Sequence, residues 1–273
     1  MRREHAPPRN ADTDGTDKAA VPEPGRINLV ARAALFWVGM ALSTLVFWMG
    51  GMLALVLSFE ARFNVIVRWC RFNLWWLKLT CGLDYQVEGL EHIPPANGIV
   101  LSKHQSAWET LVLALLFRPP AWVVKRELLW VPFFGWGLAA LAPIAINRGA
   151  SRKALQQLLD QGTRALSKGR WVIIFPEGTR VAPGEKRRYQ SGGARLAAAS
   201  GYPVVPVAHN AGRFWPRRSF IKHPGTIRLC IGPVIQSTGR SPEEINAAAE
   251  AWIEGKMQEL DAAGQYATAR DKK

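Results

Sequence analysis

Apolar positions in this chain follow three different patterns in turn. Residues 1–26 hold few of them among Pro, Asp, Lys and Arg. Such a stretch cannot bury enough surface to offset its chain entropy, so a disordered polar tail is expected. From Ala33 to Phe59 no charge interrupts an apolar run. That run exceeds the roughly 20 residues with which a helix crosses a bilayer. It starts too late and runs too long for a cleaved signal peptide. A signal-anchor helix or a half-inserted hairpin fits better. Basic residues flank both ends (Arg26 and Arg32; Arg62, Arg68 and Arg71), which favours a hairpin with both ends on one side. Arg62 to Leu79 then mixes basic with apolar and aromatic residues. This predicts either a basic helix lying in the membrane interface or a helix packed on the soluble domain with solvated charges.

After Cys81 the pattern becomes short apolar runs alternating with helical periods. The predicted strands are 84–88, 99–102, 121–124, 143–146, 171–175, 204–208 and 226–231. Helices are predicted over 106–117, 126–141, 151–167, 192–201 and 242–263. The alternation predicts an α/β fold, a sheet with helices on its faces and functional loops at strand C-termini. The expected organisation is a polar tail (1–26), membrane-anchoring and interfacial helices (27–81), an α/β domain (82–264) and a second polar tail (265–273).

Composition narrows the partners. Lys and Arg number 35 against 21 Asp and Glu, a net charge of +14, which calls for a polyanion: nucleic acid, anionic lipid or a phosphorylated substrate. The chain has 12 Trp, many of them in or beside the apolar segments, where indoles favour the membrane–water boundary. No nucleic-acid-binding signature accompanies the charge, so a membrane bilayer and a phosphorylated substrate are the expected partners and nucleic acid is not. The 3 Cys include no C-x-x-C pair, so neither a disulfide framework nor a zinc site is expected and a cytoplasmic face is the simplest setting.

Candidate chemistry lies in five blocks. His104 and Glu109 stand in LSKHQSAWET, between a strand and a helix. Five residues along a helix separate two side chains by about 140°, so they can meet only if His104 precedes the helix and Glu109 sits in its first turn. There Glu109 can orient the imidazole as a general base. Ser106-Ala-Trp-Glu109 is equally a capping box, in which Glu109 caps its own helix, and one carboxylate can do both jobs. Lys125, in a block that runs to Gly135, follows a strand and is a candidate anion contact; Arg148, after Ile144-Ala-Ile-Asn147, is shaped for bidentate phosphate binding. In Phe175-Pro-Glu-Gly-Thr-Arg180, a strand is stopped sharply by Pro176 and Gly178. This exposes Glu177 and Arg180 on a tight loop that includes Thr179. The fifth block, Val204-Val-Pro-Val207, reads as a core strand before His209, a structural hydrogen-bonder rather than a second base.

Taken together and in this order, the blocks resemble those of the 1-acyl-sn-glycerol-3-phosphate acyltransferase family over about residues 80–235. The family's His-x4-Asp motif matches His104 and Glu109, with Glu in place of Asp. Its second motif resembles Lys125-x-Glu127-Leu128 through Gly135, and its Asp-Arg reads Asn147-Arg148 here. Its Phe-Pro-Glu-Gly-Thr-Arg is complete at 175–180, and its Val-Pro-Val lies at 205–207. The Lys-Gly step common after the fourth motif reads Gln190-Ser-Gly-Gly193.

The resemblance implies a mixed sheet flanked by helices behind an N-terminal membrane-embedded segment. It implies acyl transfer from acyl-CoA or acyl carrier protein, as co-substrate, to the 2-hydroxyl of lysophosphatidic acid, giving phosphatidic acid in phospholipid synthesis. His104 and Glu109 would be catalytic. Lys125, Arg148, Glu177, Gly178, Thr179 and Arg180 would hold the glycerol-phosphate, with no metal and no bound cofactor. The expected location is the inner membrane, with the catalytic domain on its cytoplasmic face. Two alternatives are another lysolipid as acceptor (a lyso-ornithine lipid or lipid A precursor) and a non-catalytic anionic-lipid-binding protein of the same fold.

Overall fold

The computed structural model describes residues 25–53, 58–131, 134–147 and 151–270. The expected tail up to residue 24, Arg148 and the last three residues lie outside the described residues.

Two long helices come first, α1 (Arg26–Leu53) and α2 (Phe59–Cys81). They run antiparallel. Near one end Arg32 Nε donates to Thr80 O at 2.7 Å, and further along Ser43 and Asn73 are hydrogen-bonded at 3.3–3.4 Å in a buried position. At Gly39 the Trp76 indole occupies the space a Cβ would need, so glycine lets the two helices close on each other. Ser58 caps α2 by accepting from Ala61 N at 3.3 Å, and Gly82, at φ 64°, ends it. α1 is long and apolar enough to cross a membrane, with a mean hydropathy of 1.8 over an 18-residue stretch within Arg26–Gly51. Leu35, Val38, Leu42, Leu45, Val46 and Met49 leave an apolar face exposed on it. α2 differs: Phe63, Val67, Cys70, Leu74 and Leu77 form a buried stripe at helical spacing, while Arg68, Arg71, Trp75 and Leu79 remain exposed. One side of α2 is therefore a wall of the core.

The seven predicted strands form one sheet in the order β1 (Leu83–Glu88), β7 (Gly225–Ile231), β6 (Val204–His209), β2 (Ile99–Ser102), β5 (Trp171–Ile174), β3 (Pro120–Lys125), β4 (Ile144–Ile146). All pairings are parallel except β6 with β7, so the sheet is mixed. Alternate strand residues enter two separate cores. Val100, Trp171, Ile173, Val205 and Val207 face a cluster with Phe36, Leu74, Leu77 and helix α3 (Trp108–Leu116). Ile99, Leu101, Val172, Ile174, Val204 and Ala208 face one with helices α5 (Ser151–Ser167), α6 (Gly192–Ser200) and α8 (Pro242–Arg270). Burial on both faces explains why β2 and β5 are continuous apolar runs rather than alternating ones.

One predicted helix breaks in two. Residues 126–141 form a 3-10 segment (Arg126–Trp130) and a short α4 (Phe134–Ala139). Pro132 lacks the N–H a continuous helix needs there, and Gly135 and Gly137 lower the helix propensity of the second half. The final helix runs beyond the predicted 263 to Arg270, and a single turn, α7 (Ala211–Phe214), has no counterpart among the predicted elements.

Candidate active site

β2 ends at Ser102, and the chain then turns through Lys103, His104 and Gln105 before α3 starts at Trp108. The turn leaves the Ser106 and Gln105 amides without helical partners, and the Glu109 side chain reaches back to both. Its carboxylate accepts from Ser106 N at 3.0 and 3.1 Å and from Gln105 N at 3.1 Å. The same carboxylate lies 2.8 Å from His104 Nδ1. Glu109 therefore does both jobs that its position allows, capping α3 and orienting His104.

The hydrogen bonds fix the protons. A carboxylate at Nδ1 places the His104 proton there. Nε2, for which no protein partner is found among the described residues, keeps its lone pair. The ring stacks on Phe175 at a centroid distance of 3.9 Å, and Phe175 stacks in turn on Trp122 at 6.1 Å. The imidazole is thus held by an edge contact and a face contact and is 16% exposed.

Glu109 is fully buried, and burial alone would raise its pKa. The hydrogen bond to His104 and the Ser106 amide outweigh this and hold it below the ordinary carboxylate value. His209, also buried, is a structural group. Its Nε2 donates to Lys103 O at 2.9 Å and its Nδ1 accepts from Ala211 N at 3.3 Å, which is the hydrogen-bonding pattern of a neutral ring. Burial lowers its pKa in the same sense, against the pull of Glu109.

The loop after β5 closes over this turn. Val181 N donates to His104 O at 2.8 Å, and Glu177 Oε1 accepts from His104 N at 3.4 Å. Gly178, at φ 71°, makes the sharp reversal, with its N–H on Phe175 O at 3.0 Å. Glu177 does not project from the loop as its position predicts: it is buried against Lys103, and burial pushes its carboxyl up to about 7 despite Lys103 Nζ at 3.5 Å. The reason is competition: Lys103 Nζ sits closer to Glu254 of α8, at 2.7 Å. Tyr189 OH also donates to Glu254, at 2.8 Å, and Glu177 Oε2 has no hydrogen-bond partner among the described residues. Lys103 itself is 1% exposed.

Beyond Ala107, at the start of α3, lies a cleft of about 260 Å³ lined by Arg180, Arg217, Arg218, Trp37, Trp215 and Phe220 among others. Arg217 Nη1 donates to Arg180 O at 3.2 Å, joining the two loops.

The structure thus brings together His104, Glu109, Glu177, Gly178 and Arg180, with Thr179 half-buried between the last two. Lys125 stands apart at the exposed end of β3, 3.5 Å from Glu127, and no contact among the described residues ties it to His104. Arg148 lies outside the described residues. Lys103, Glu254, Tyr189, Arg217 and Arg218 fall outside the motif reading. A lysine in a turn that otherwise continues a buried strand is a usable signal for Lys103. Nothing local marks Glu254.

The acyltransferase family profile matches residues 84–210, which span β1 to the end of β6 and hold the whole turn and loop just described. The 1-acyl-sn-glycerol-3-phosphate acyltransferase of Pseudomonas aeruginosa is 46% identical over 234 residues, covering 84% of this chain and 91% of that protein. The human 1-acyl-sn-glycerol-3-phosphate acyltransferase alpha is 27% identical over 183 residues, covering 66% of this chain and 65% of its own. Among solved structures, the 1-acyl-sn-glycerophosphate acyltransferase of Thermotoga maritima superimposes with a TM-score of 0.73. It is 23% identical, covers 87% of this chain and 98% of that one, and so establishes the shared fold. With the P. aeruginosa relative aligned along nearly its full length, the chain belongs to the 1-acyl-sn-glycerol-3-phosphate acyltransferase family.

Proposed function

We propose that this enzyme transfers a fatty acyl chain from acyl-CoA or acyl carrier protein to the 2-hydroxyl of lysophosphatidic acid, giving phosphatidic acid. The observation that carries the proposal is the His104–Glu109 pair: Nδ1 is held at 2.8 Å by a buried carboxylate and Nε2 is left with a free lone pair. A neutral imidazole so oriented suits the removal of a hydroxyl proton near neutral pH.

The chemistry follows from that arrangement. Nε2 accepts the proton of the acceptor hydroxyl as its oxygen attacks the thioester carbonyl carbon. The imidazolium that forms is stabilised by Glu109, which remains ionised. Collapse of the tetrahedral intermediate breaks the C–S bond, and the imidazolium returns its proton to the leaving sulfur. The products are phosphatidic acid and the free thiol, and His104 is neutral again. The cycle requires no covalent acyl-enzyme, and the proposed route uses side chains alone, with the acyl thioester as co-substrate and no bound cofactor. Arg180 offers planar donors to the acceptor phosphate beside the base. Arg148, and less directly Lys125, complete the positive charge in this proposal.

We place the reaction at the cytoplasmic face of the inner membrane. The apolar exposed face of α1 and the basic residues Arg68 and Arg71 on α2 support attachment of the helical pair to anionic lipid. Purified protein offered lysophosphatidic acid and a lyso-ornithine lipid, each with acyl-CoA and with acyl carrier protein, tests the reading. Faster turnover of lysophosphatidic acid is expected. A preference for the lyso-ornithine lipid would overturn the choice of acceptor.

A further inference from the structure

The segment Trp215-Pro-Arg-Arg-Ser-Phe220, between α7 and β7, belongs to none of the blocks that identify the family, yet it forms one wall of the cleft beside the base. Three arginines line this space of about 260 Å³: Arg180 from the loop after β5, and Arg217 and Arg218 from this segment. Among the described residues, none of the three forms an ion pair with a carboxylate, although the chain pairs other surface cations, such as Lys78 with Asp84 at 2.6 Å and Arg228 with Glu88 at 2.8 Å. A cleft lined by one sign of charge focuses the positive potential and raises the local concentration of anions.

Backbone geometry points the same way. Arg218 holds φ at 61°, a left-handed conformation that costs a non-glycine residue about 1 kcal/mol or more and is kept where surrounding structure enforces it. The enforcement is visible. Lys222, 1% exposed, inserts its ammonium among aromatic rings, 3.8 Å from the centroid of Trp37, 4.8 Å from Trp215 and 5.1 Å from Phe36. It also donates to Phe220 O at 2.8 Å, and Trp37 Nε1 donates to the same carbonyl at 3.2 Å. Helix α1 therefore holds the arginine segment in place.

Distance along the substrate adds a third constraint. In a 1-acylglycerol 3-phosphate the reacting hydroxyl and the phosphate ester oxygen sit on adjacent carbons, so a phosphate site must adjoin the base. This cleft does: Ala107 lines it three residues after His104, and Arg180 precedes Val181, whose N–H bonds His104 O at 2.8 Å. On the other side, Trp37 and Phe220 give the cleft an apolar rim, next to the exposed apolar face of α1, where an acyl tail can pass.

We infer that Arg217 and Arg218 bind the phosphate monoester of the acyl acceptor together with Arg180, and that they set the preference for phosphorylated over unphosphorylated lysolipids. The inference rests on the proposed acyl transfer to lysophosphatidic acid. The test compares wild type with Arg217→Gln, Arg218→Gln and Arg218→Gly in lipid vesicles, against lysophosphatidic acid and against monoacylglycerol, which lacks only the phosphate. Losing one charge-assisted contact should raise KM for lysophosphatidic acid by about 10- to 100-fold, while monoacylglycerol turnover and KM for the acyl donor stay within about twofold. Arg218→Gly separates binding from folding, because glycine accepts the left-handed backbone: its melting temperature should hold or rise while KM climbs. An active wild type whose variants keep their KM for lysophosphatidic acid would overturn the assignment alone. So would variants whose KM rises for acyl-CoA instead, since the site would then serve the donor's phosphates. A wild type inert toward lysophosphatidic acid would remove the functional reading and this assignment with it.

Discussion

Glu109 and Glu177 stand in or just beyond the turns that follow β2 and β5, both are buried, and both contact His104, yet their surroundings drive them in opposite directions. Glu109 receives the Ser106 and Gln105 amides and the His104 ring N–H, and its pKa is held below the ordinary carboxylate value. Glu177 receives one long amide contact of 3.4 Å and a share of a lysine that sits closer to Glu254, and its carboxyl is pushed up to about 7. Burial pushes both upward, so it does not set the difference between them. The supply of donors does. The first region is organised around a fixed anion that can stabilise an imidazolium, and the second is a structural brace that titrates near neutrality.

Replacing Glu109 with Gln attacks that distinction most strongly. An amide is isosteric but has one acceptor oxygen where the carboxylate has two, so it can keep the Ser106 cap or orient His104, but not as an anion. Turnover should fall by about 10²- to 10⁴-fold, with a stability loss of about 1–3 kcal/mol from the unsatisfied donors. Glu109→Asp, which keeps the charge, should recover most of the rate. Steady-state kinetics and thermal melts on the pair check this, and a Gln variant with wild-type turnover would reduce Glu109 to a helix cap.

Lys103→Met comes next and acts on the brace. It leaves Glu177 and Glu254 without their shared cation, a change expected to cost about 3–5 kcal/mol, read from denaturant unfolding. Adding Glu254→Gln should restore part of that loss by removing one of the stranded charges. Additive effects of the two substitutions would show that the 2.7 Å pair is not coupled.

The smallest effect is in pH. Since the folded pKa of Glu177 is raised from 4.5 to about 7, its protonated form is favoured by folding. The associated stability is complete below about pH 4.5 and is lost as pH rises to about 7. Glu177→Gln cannot titrate, so the melting-temperature difference between wild type and variant should shift against wild type from pH 5 to pH 8. A constant difference across that range would contradict the assignment.

The sheet was legible because every central strand is an apolar run buried on both faces, as in Ile99–Ser102 and Trp171–Ile174, and such runs have few alternatives. The helix expected over 126–141 failed where Pro132, Gly135 and Gly137 override an apolar pattern. In the site, His104 and Glu109 were legible because their contact spans five residues and one turn. The dual role of Glu109 was legible as one option, a single carboxylate that caps its helix and orients His104, and the geometry shows both contacts. Lys103 and Glu254 lie 151 residues apart, and no local pattern carries such a pairing. Arg217 and Arg218 sit in a basic-aromatic segment that, without Arg180 and Trp37 placed across from them, is indistinguishable from an ordinary surface loop.

The proposed acyl transfer depends first on His104 as the base. His104→Ala, assayed beside wild type in the same vesicles with lysophosphatidic acid and saturating acyl donor, tests it directly. Turnover should fall by about 10³-fold or more with unchanged membrane association. A variant that retains more than about a tenth of wild-type turnover would contradict it and leave the fold as a lipid-binding scaffold.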